Sequence, residues 1–312
     1  MNGRIPVAIR EKRQVSANAT QFVLEHASGD PLPSFTPGAH ITVVAPNGLV
    51  RSYSLTDADA AGEYYAIAVQ REVSGRGGSL SLIDDTRIGD QLEIGAPTNA
   101  FPLVEADDYL FIAGGIGITP IRALRNAVLE RRGVRVRMLY LVRHAEDAAF
   151  IDELLDTPDC VLRVSSTQGR ADLWPYLEEP GNTRLYCCGS QALMDEVREL
   201  TMHWNPNRVH FEDFSGPEAR AAEVRFTAVW EPTGAQIEVD RSETILDALR
   251  RHSVPTLSSC QTGTCGTCIM KVVDGEADHR DVWLDDDSRT THILPCVSRA
   301  ASDSIRLAPV VS

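Results

Sequence analysis

Hydrophobic and polar positions change their period twice along the chain, and the changes divide it into three segments. Over residues 5–102, apolar and β-branched residues come in short, partly alternating runs: VAIREKRQV, TQFVLEH, HITVVAP, YYAIAVQRE and DQLEIGAP. Alternation of this kind predicts strands with one buried face. Asn47-Gly48, between HITVVAP and LVRSYSL, predicts a hairpin turn. No helix-length amphipathic run dominates the segment, so a small antiparallel barrel is expected, because closure leaves no exposed strand edge.

The pattern from residue 107 to 215 is different. YLFIAGG predicts a buried strand entering a glycine turn, and ITPIRALRNAVLERRG places Ile121, Leu124, Val128 and Leu129 at helical spacing. Gly133 is the expected C-cap of that helix. RVRMLYLV, CVLRV and TRLYCCG read as strands, EDAAFIDELLD and QALMDEVREL as helices. Strands alternating with helices predict an α/β domain whose parallel sheet is covered on both faces. GPEARAAE, residues 216–223, holds few core candidates and reads as a linker. Beyond it, VRFTAVWEPTGAQIEVD predicts two strands around Pro232-Thr233-Gly234. SETILDALRRH predicts a short helix with Ser242 or Thr244 near its start, and CIMKVVDGE and SIRLAPV predict further strands.

Composition adds bounds. A chain of 312 residues, 43% hydrophobic and 24% charged, is a folded protein of two or three domains. The net charge of -14 is spread as -3, -7 and -4 over residues 1–102, 103–223 and 224–312, so no segment carries a basic nucleic-acid footprint. Only Lys12 and Lys271 are lysines; the other cations are arginines. No run reaches signal-peptide or membrane-spanning length, so the expectation is a cytoplasmic protein with no membrane partner.

Seven cysteines, an odd number in a long chain, argue against a secreted disulfide framework. Cys260, Cys265, Cys268 and Cys296 form C-x4-C-x2-C-x27-C, the plant-type [2Fe–2S] ligand pattern. Four thiolates hold two irons, two per iron, and Gly263 and Gly266 let the backbone bend around them. A structural zinc site uses the same ligand set, but more usually as two separated C-x2-C pairs.

GGIGITP at 114–120 follows a strand and opens a helix, where glycines and free N–H groups suit either a dinucleotide pyrophosphate or a purely structural turn. Thr119 offers a hydroxyl and Pro120 suits the first helical turn. CCGS at 187–190 occupies the corresponding place after another strand, with Cys188 either a neighbour of a nicotinamide ring or a buried small residue, and Cys187 and Cys160 as packing residues. RSYSL at 51–55 supplies Arg51 as a bidentate phosphate donor, Tyr53 as an aromatic face and Ser54 as a short donor. GRGGS at 75–79 adds a backbone-rich cationic loop; the alternative for both segments is two loops and a solvated arginine.

Taken in order, RSYSL, GRGGS, GGIGITP, CCGS, VHFEDF and the cysteine pattern resemble the phthalate dioxygenase reductase family, the reductase components of Rieske-type oxygenases and demethylases in aromatic degradation. The resemblance spans essentially the whole chain. It implies a multidomain fold: an antiparallel flavin-binding β-barrel over 1–102, an α/β nicotinamide-nucleotide-binding domain over 103–215, and a C-terminal β-grasp plant-type ferredoxin domain over 224–312. It places Arg51, Tyr53 and Ser54 on FMN, Ala68, Val69 and Gln70 along its isoalloxazine, and Gly77, Gly78 and Ser79 at its phosphate. His40 falls near the flavin pocket or packs as an ordinary hydrogen-bonded histidine. Gly115, Gly117, Ile118 and Thr119 fall at the nicotinamide nucleotide, and Cys188 and Gly189 near its ring. Phe214 or Phe211 shields the flavin, with a core role open for Phe211; Glu212 and Asp213 face solvent or join the domains. Arg143 and His144 offer cations to a 2′-phosphate, yet the resemblance implies NADH.

The implied activity is electron transfer from NADH through FMN and the [2Fe–2S] cluster to a Rieske-type terminal oxygenase. A diiron monooxygenase is the alternative acceptor, disfavoured because such reductases more often begin with the ferredoxin domain. A zinc-stabilised nucleotide-binding protein without turnover is the alternative outside enzymes. The acidic run Asp285-Asp286-Asp287 is either a solvated face or a steering patch for a basic partner.

Overall fold

The computed structural model describes residues 4–58, 62–75, 77–155, 159–214, 224–241, 243–258, 261, 263, 265–281 and 283–310. The chain forms two compact units, divided between Phe214 and Ser215. The expected linker, 216–223, lies outside the described residues.

The first unit opens with β1 (Ile5–Ser16), β2 (Ala19–His26), β3 (Ala39–Val44), β4 (Val50–Ala58), β5 (Tyr65–Gln70), β6 (Gln91–Ile94) and β7 (Thr98–Asn99), with α1 (Gly78–Asp84) between β5 and β6. Their order is β4-β5-β2-β1-β6-β3-β7, and a further antiparallel β3–β4 pairing closes the ring into the expected barrel. Val7, Ile9, Phe22, Leu24, Ile41, Leu55, Ile67 and Ile94 fill its interior. Asn47-Gly48 lies in the β3–β4 turn, where Gly48 takes φ +82° and the Ala45 N–H donates to the Leu49 carbonyl at 2.9 Å. α1 is absent from the sequence expectation. Lys12 holds it by donating at 2.6 Å to both the Ile83 and Thr86 carbonyls.

The α/β half continues with β8 (Asp108–Gly114), α2 (Ile118–Leu129), β9 (Arg135–Val142), α3 (Ile151–Leu155), β10 (Cys160–Val164), α4 (Ser165–Gln168), α5 (Trp174–Leu177), β11 (Arg184–Cys188), α6 (Gln191–Leu200) and β12 (Val209–Glu212). The parallel sheet runs β10-β9-β8-β11-β12. Alternate strand residues enter two cores: Phe111, Ala113 and Cys188 on one face, Leu110, Ile112 and Cys187 on the other. Gly133 does not cap α2. The helix closes on Glu130 in right-handed conformation, and Gly133, φ +78°, turns the chain into β9.

In the second unit are β13 (Phe226–Trp230), β14 (Ala235–Val239), α7 (Ile245–Arg251), β15 (Met270–Asp274), β16 (Ala277–Asp278), α8 (Asp286–Arg289), β17 (His292–Ile293), β18 (Arg299–Ala300) and β19 (Ser304–Pro309). The main sheet is mixed, β14-β13-β19-β15-β17, with β19 parallel to β13 and its other described pairings antiparallel. α7 packs Ile245, Ala248 and Leu249 into the sheet's core, and the Thr244 hydroxyl caps it by accepting from the Asp247 N–H at 3.0 Å.

Candidate functional site

The first corner of the site is built where the β3–β4 turn meets α1. Asn47 donates from Nδ2 to the Gly77 carbonyl at 3.1 Å, and its own N–H donates to Ser81 Oγ at 3.1 Å. Gly77 adopts φ +85° just before α1. A Cβ on Gly78 would fall 3.0 Å from Arg51 Cγ and 3.1 Å from its Nε, so the arginine crosses the helix start only because glycine is there. Ser79 Oγ accepts from the Glu72 N–H at 3.2 Å. A guanidinium laid over glycine backbone fits a phosphate group. Arg76 lies outside the described residues.

Along the barrel wall, alternation separates the expected flavin neighbours. Val69 points into the barrel core, whereas Ala68 joins the core of the α/β half and Gln70 is half-exposed. Tyr53 packs against the barrel core, and burial raises its phenol to about 12, with the Arg51 charge opposing; it remains protonated. Buried His40 pairs with Ser54 in the β3–β4 register, and its Nε2 lies 3.0 Å from the Thr98 hydroxyl.

Two glycine turns meet at the C-terminal ends of β8 and β11. A Cβ on Gly117 would lie 2.3 Å from the Cys188 carbonyl oxygen, and one on Gly189 would lie 3.0 Å from Gly114 Cα. Backbone rests on backbone here, leaving no room for side chains. Ile118 and Thr119 are buried, and the Thr119 hydroxyl donates to the Ile116 carbonyl at 3.0 Å, so both face the turn with main chain. Gly115, at φ +54°, has open space where a Cβ would be. No side chain caps α2, whose first N–H groups and dipole suit an anion.

Glu212 stands opposite Cys188 in the β11–β12 register, and its Oε2 is shut off from water. Burial drives its carboxyl up to about 8, while the hydrogen-bonding approach of Ser54 from the barrel draws it down. Burial also raises the Cys188 thiol well above its ordinary range, with Glu212 adding to it, so the thiol is neutral. The sequence left Glu212 open between solvent and a joining role; its Oε2 is buried, not turned to solvent. Phe211 packs in the sheet's second core with the Arg198 guanidinium 4.5 Å from its ring centre, whereas Phe214 is exposed. Arg143 and His144 are both exposed beyond β9.

Arg122 carries no motif and was not anticipated. From α2 it donates to the Thr56 carbonyl at 2.7 Å, clasps Glu153 through Nε and Nη2 at 2.8–3.1 Å, and lies over the Phe150 ring at 4.9 Å.

In the second unit, Cys268 and Cys296 are buried with their sulfurs 3.2 Å apart, close enough to serve one iron. Cys265 is half-buried, its Sγ 3.2 Å from Thr267 Oγ1; Cys260 lies outside the described residues. Gly263 and Gly266 take φ +77° and +71°, the bends expected of them. Asp281 backs this loop: a Cβ on Gly263 would fall 3.1 Å from its Cα, and its carboxylate accepts from the Leu284 N–H at 2.9 Å. Thiolate donors on a glycine-bent loop fit an iron–sulfur cluster.

Comparison with known proteins agrees with this layout. Residues 6–102 match the oxidoreductase FAD-binding domain family and residues 228–301 the 2Fe-2S iron-sulfur cluster binding domain family. Phthalate dioxygenase reductase of Burkholderia cepacia is 41% identical over 315 residues, covering 98% of both chains. The phthalate 4,5-dioxygenase oxygenase reductase subunit of Pseudomonas putida is 39% identical over 304 residues, covering 95% of this chain and 94% of its own. A solved phthalate dioxygenase reductase, described as a modular structure for electron transfer from pyridine nucleotides to [2Fe–2S], superposes with a TM-score of 0.87 at 39% identity and 98% coverage of each chain.

Fold and site define a flavin-dependent oxidoreductase with a plant-type iron–sulfur domain. The chain belongs to the phthalate dioxygenase reductase family and is a flavin- and [2Fe–2S]-containing oxidoreductase. The 2Fe-2S domain match displaces the zinc-stabilised alternative. Among the described residues no helix is long and apolar enough to cross a membrane.

Proposed function

We propose that the flavin is FMN and that three functional segments, 1–102, 103–215 and 224–312 with 216–223 between the last two, divide the work. Arg51 and the main chain of Gly77, Gly78 and Ser79 hold the phosphate; Tyr53, Ser54, Ala68 and Gln70 line the ring system, with Val69 contributing backbone alone. Gly115, Gly117, Ile118 and Thr119 present main chain to NADH, Cys188 and Gly189 flank the nicotinamide, and Phe214 shields the flavin ring. Cys260, Cys265, Cys268 and Cys296 ligate the cluster.

The bound groups supply conversion of a two-electron hydride donor into single electrons delivered to a protein acceptor. The chain's own residues prepare the place. The observation that carries the reading is the donation of Arg122, on the helix that follows the glycine turn, to the barrel's Thr56 carbonyl at 2.7 Å. It sets the flavin-side wall against the nucleotide turns. Glu212, its carboxyl raised to about 8, is neutral around pH 7 and puts no negative charge where a hydride arrives. Arg51 and the start of α2 neutralise phosphate charge.

Two supports bear on context. Both relatives are named for phthalate dioxygenases, which makes the oxygenase of an aromatic dicarboxylate the first acceptor to test. A cytoplasmic setting suits cysteines engaged as iron ligands.

The test is anaerobic NADH titration of the purified protein followed by absorbance, with the released flavin identified by chromatography and iron counted. FMN, two irons per chain and bleaching by NADH are expected. Release of FAD, or absence of bleaching, overturns the corresponding part.

A further inference from the structure

On the second unit, the indole of Trp283 lies directly against Gly266, between two of the proposed cluster ligands. A Cβ on Gly266 would fall 2.5 Å from Trp283 Cε2 and 2.6 Å from Cζ2. Nevertheless 49% of the residue is exposed, while the next residue, Leu284, is buried at 5%. The ring therefore covers the cysteine loop with one side and presents another to solvent. Thr267, on the same loop, is exposed, and Cys265 is half-exposed beside it.

Carboxylates follow the ring closely in the chain. Asp285 and Asp287 are exposed. The Ser288 side chain and N–H hold the Asp285 carboxyl below its ordinary range, so it is ionised. Arg289, the only cation of α8, turns inward to donate to the Asp281 carbonyl at 2.8 Å. The segment after residue 223 is net acidic at -4. An indole face is the best aromatic acceptor for a cation, and flanking carboxylates raise the local concentration of cationic partners.

We propose that Trp283, flanked by Asp285 and Asp287, is the docking anchor for the electron-acceptor protein, which presents a basic face and sets a lysine or arginine over the exposed indole. This rests on the reading of the four cysteines as the cluster site. A protein acceptor must come close to that site, and Trp283 is a large apolar side chain that meets both the loop and solvent. Tryptophan anchors with charged surroundings are the usual centre of a protein contact, with carboxylates setting orientation and on-rate.

Oxidised horse-heart cytochrome c, a lysine-rich one-electron acceptor, is the probe, used with the holoprotein. Its Kd is measured by calorimetry across ionic strength, its reduction by stopped flow, and flavin bleaching by NADH is followed in parallel. Trp283→Ala is expected to raise Kd at least about tenfold, and Trp283→Phe about threefold. Asp285→Asn/Asp287→Asn, in which Asn still caps α8, is expected to raise Kd about threefold or more at low salt and to flatten its salt dependence. Unchanged Kd in the tryptophan and aspartate variants overturns the proposal. So does a Trp283→Ala protein that slows cluster reduction by NADH at unchanged Kd, which would make the ring an internal contact. Should Trp283→Ala lose iron, Trp283→Phe and the aspartate pair decide. If NADH fails to bleach the flavin of the unsubstituted protein, the functional reading fails, while the Kd comparison still judges the docking face.

Discussion

Arg122 donates to the carbonyl of Thr56 across 2.7 Å, so a guanidinium rooted in the α/β half satisfies a backbone group of the barrel. The same side chain is 7% exposed and clasps Glu153, whose carboxylate is 45% exposed. Arg122→Met removes both contacts from a buried position. Loss of a hydrogen-bonded charge pair at a partly wet site is expected to cost about 2 kcal/mol. Flavin release should come at lower temperature, while cluster absorbance, which reports the second unit, should melt where it did before.

The glycines of the first turn predict a contrast. Gly117→Ala drives a Cβ to within 2.3 Å of the Cys188 carbonyl, whereas Gly115→Ala meets open space and only the strain of φ +54°. Gly115→Ala should cost about 1 kcal/mol in stability. Gly117→Ala should raise the KM for NADH about tenfold or more, because β11 and the turn must separate. Steady-state kinetics with ferricyanide as acceptor tests the ranking; equal effects would refute it.

Glu212 predicts a pH dependence of stability. Its carboxyl sits at about 8 in the folded chain against an ordinary value of 4.5, so between these values the unfolded state is ionised and the folded state is not. Folding then takes up a proton, and stability falls as pH rises through that window. Glu212→Gln should remove this contribution. The difference in unfolding midpoint, variant minus parent, should grow from pH 4.5 to 8 and level off above it.

Cys268→Ser and Cys296→Ser each remove a thiol from the pair 3.2 Å apart. Both variants should lose cluster iron and its visible absorption and fail to reduce cytochrome c. Bleaching of the flavin by NADH should persist, because the residues proposed to hold the flavin and the nucleotide belong to the other unit. Iron assay and anaerobic absorbance separate the two effects.

The parts legible in the sequence were those whose physics is local. Alternation in TQFVLEH and HITVVAP is the signature of a one-sided strand, and the cysteine spacing is set by how a short loop wraps a cluster. α1 was missed because two glycines open it and it runs only seven residues. EDAAFIDELLD read as one helix, yet only Ile151–Leu155 is α-helical, since Ala148 is extended and Phe150 turns to φ +60°. The burial of the Glu212 carboxyl and the bridging role of Arg122 were not legible for another reason. Whether a charge is buried depends on neighbours such as Ser54 and Thr56 that arrive from distant strands.

The anchoring of Lys12 to the Ile83 and Thr86 carbonyls has a practical consequence for chemistry done on the whole molecule. With that amine engaged and every other side-chain cation except exposed Lys271 an arginine, amine-directed reagents find one side-chain address, on the sheet of the second unit. Coupling through Lys271 would tether the protein to an electrode or resin mainly in one orientation. In carbodiimide cross-linking to an acceptor, the amines would come almost entirely from the other protein, so the joined carboxylates would map this chain's own contact face.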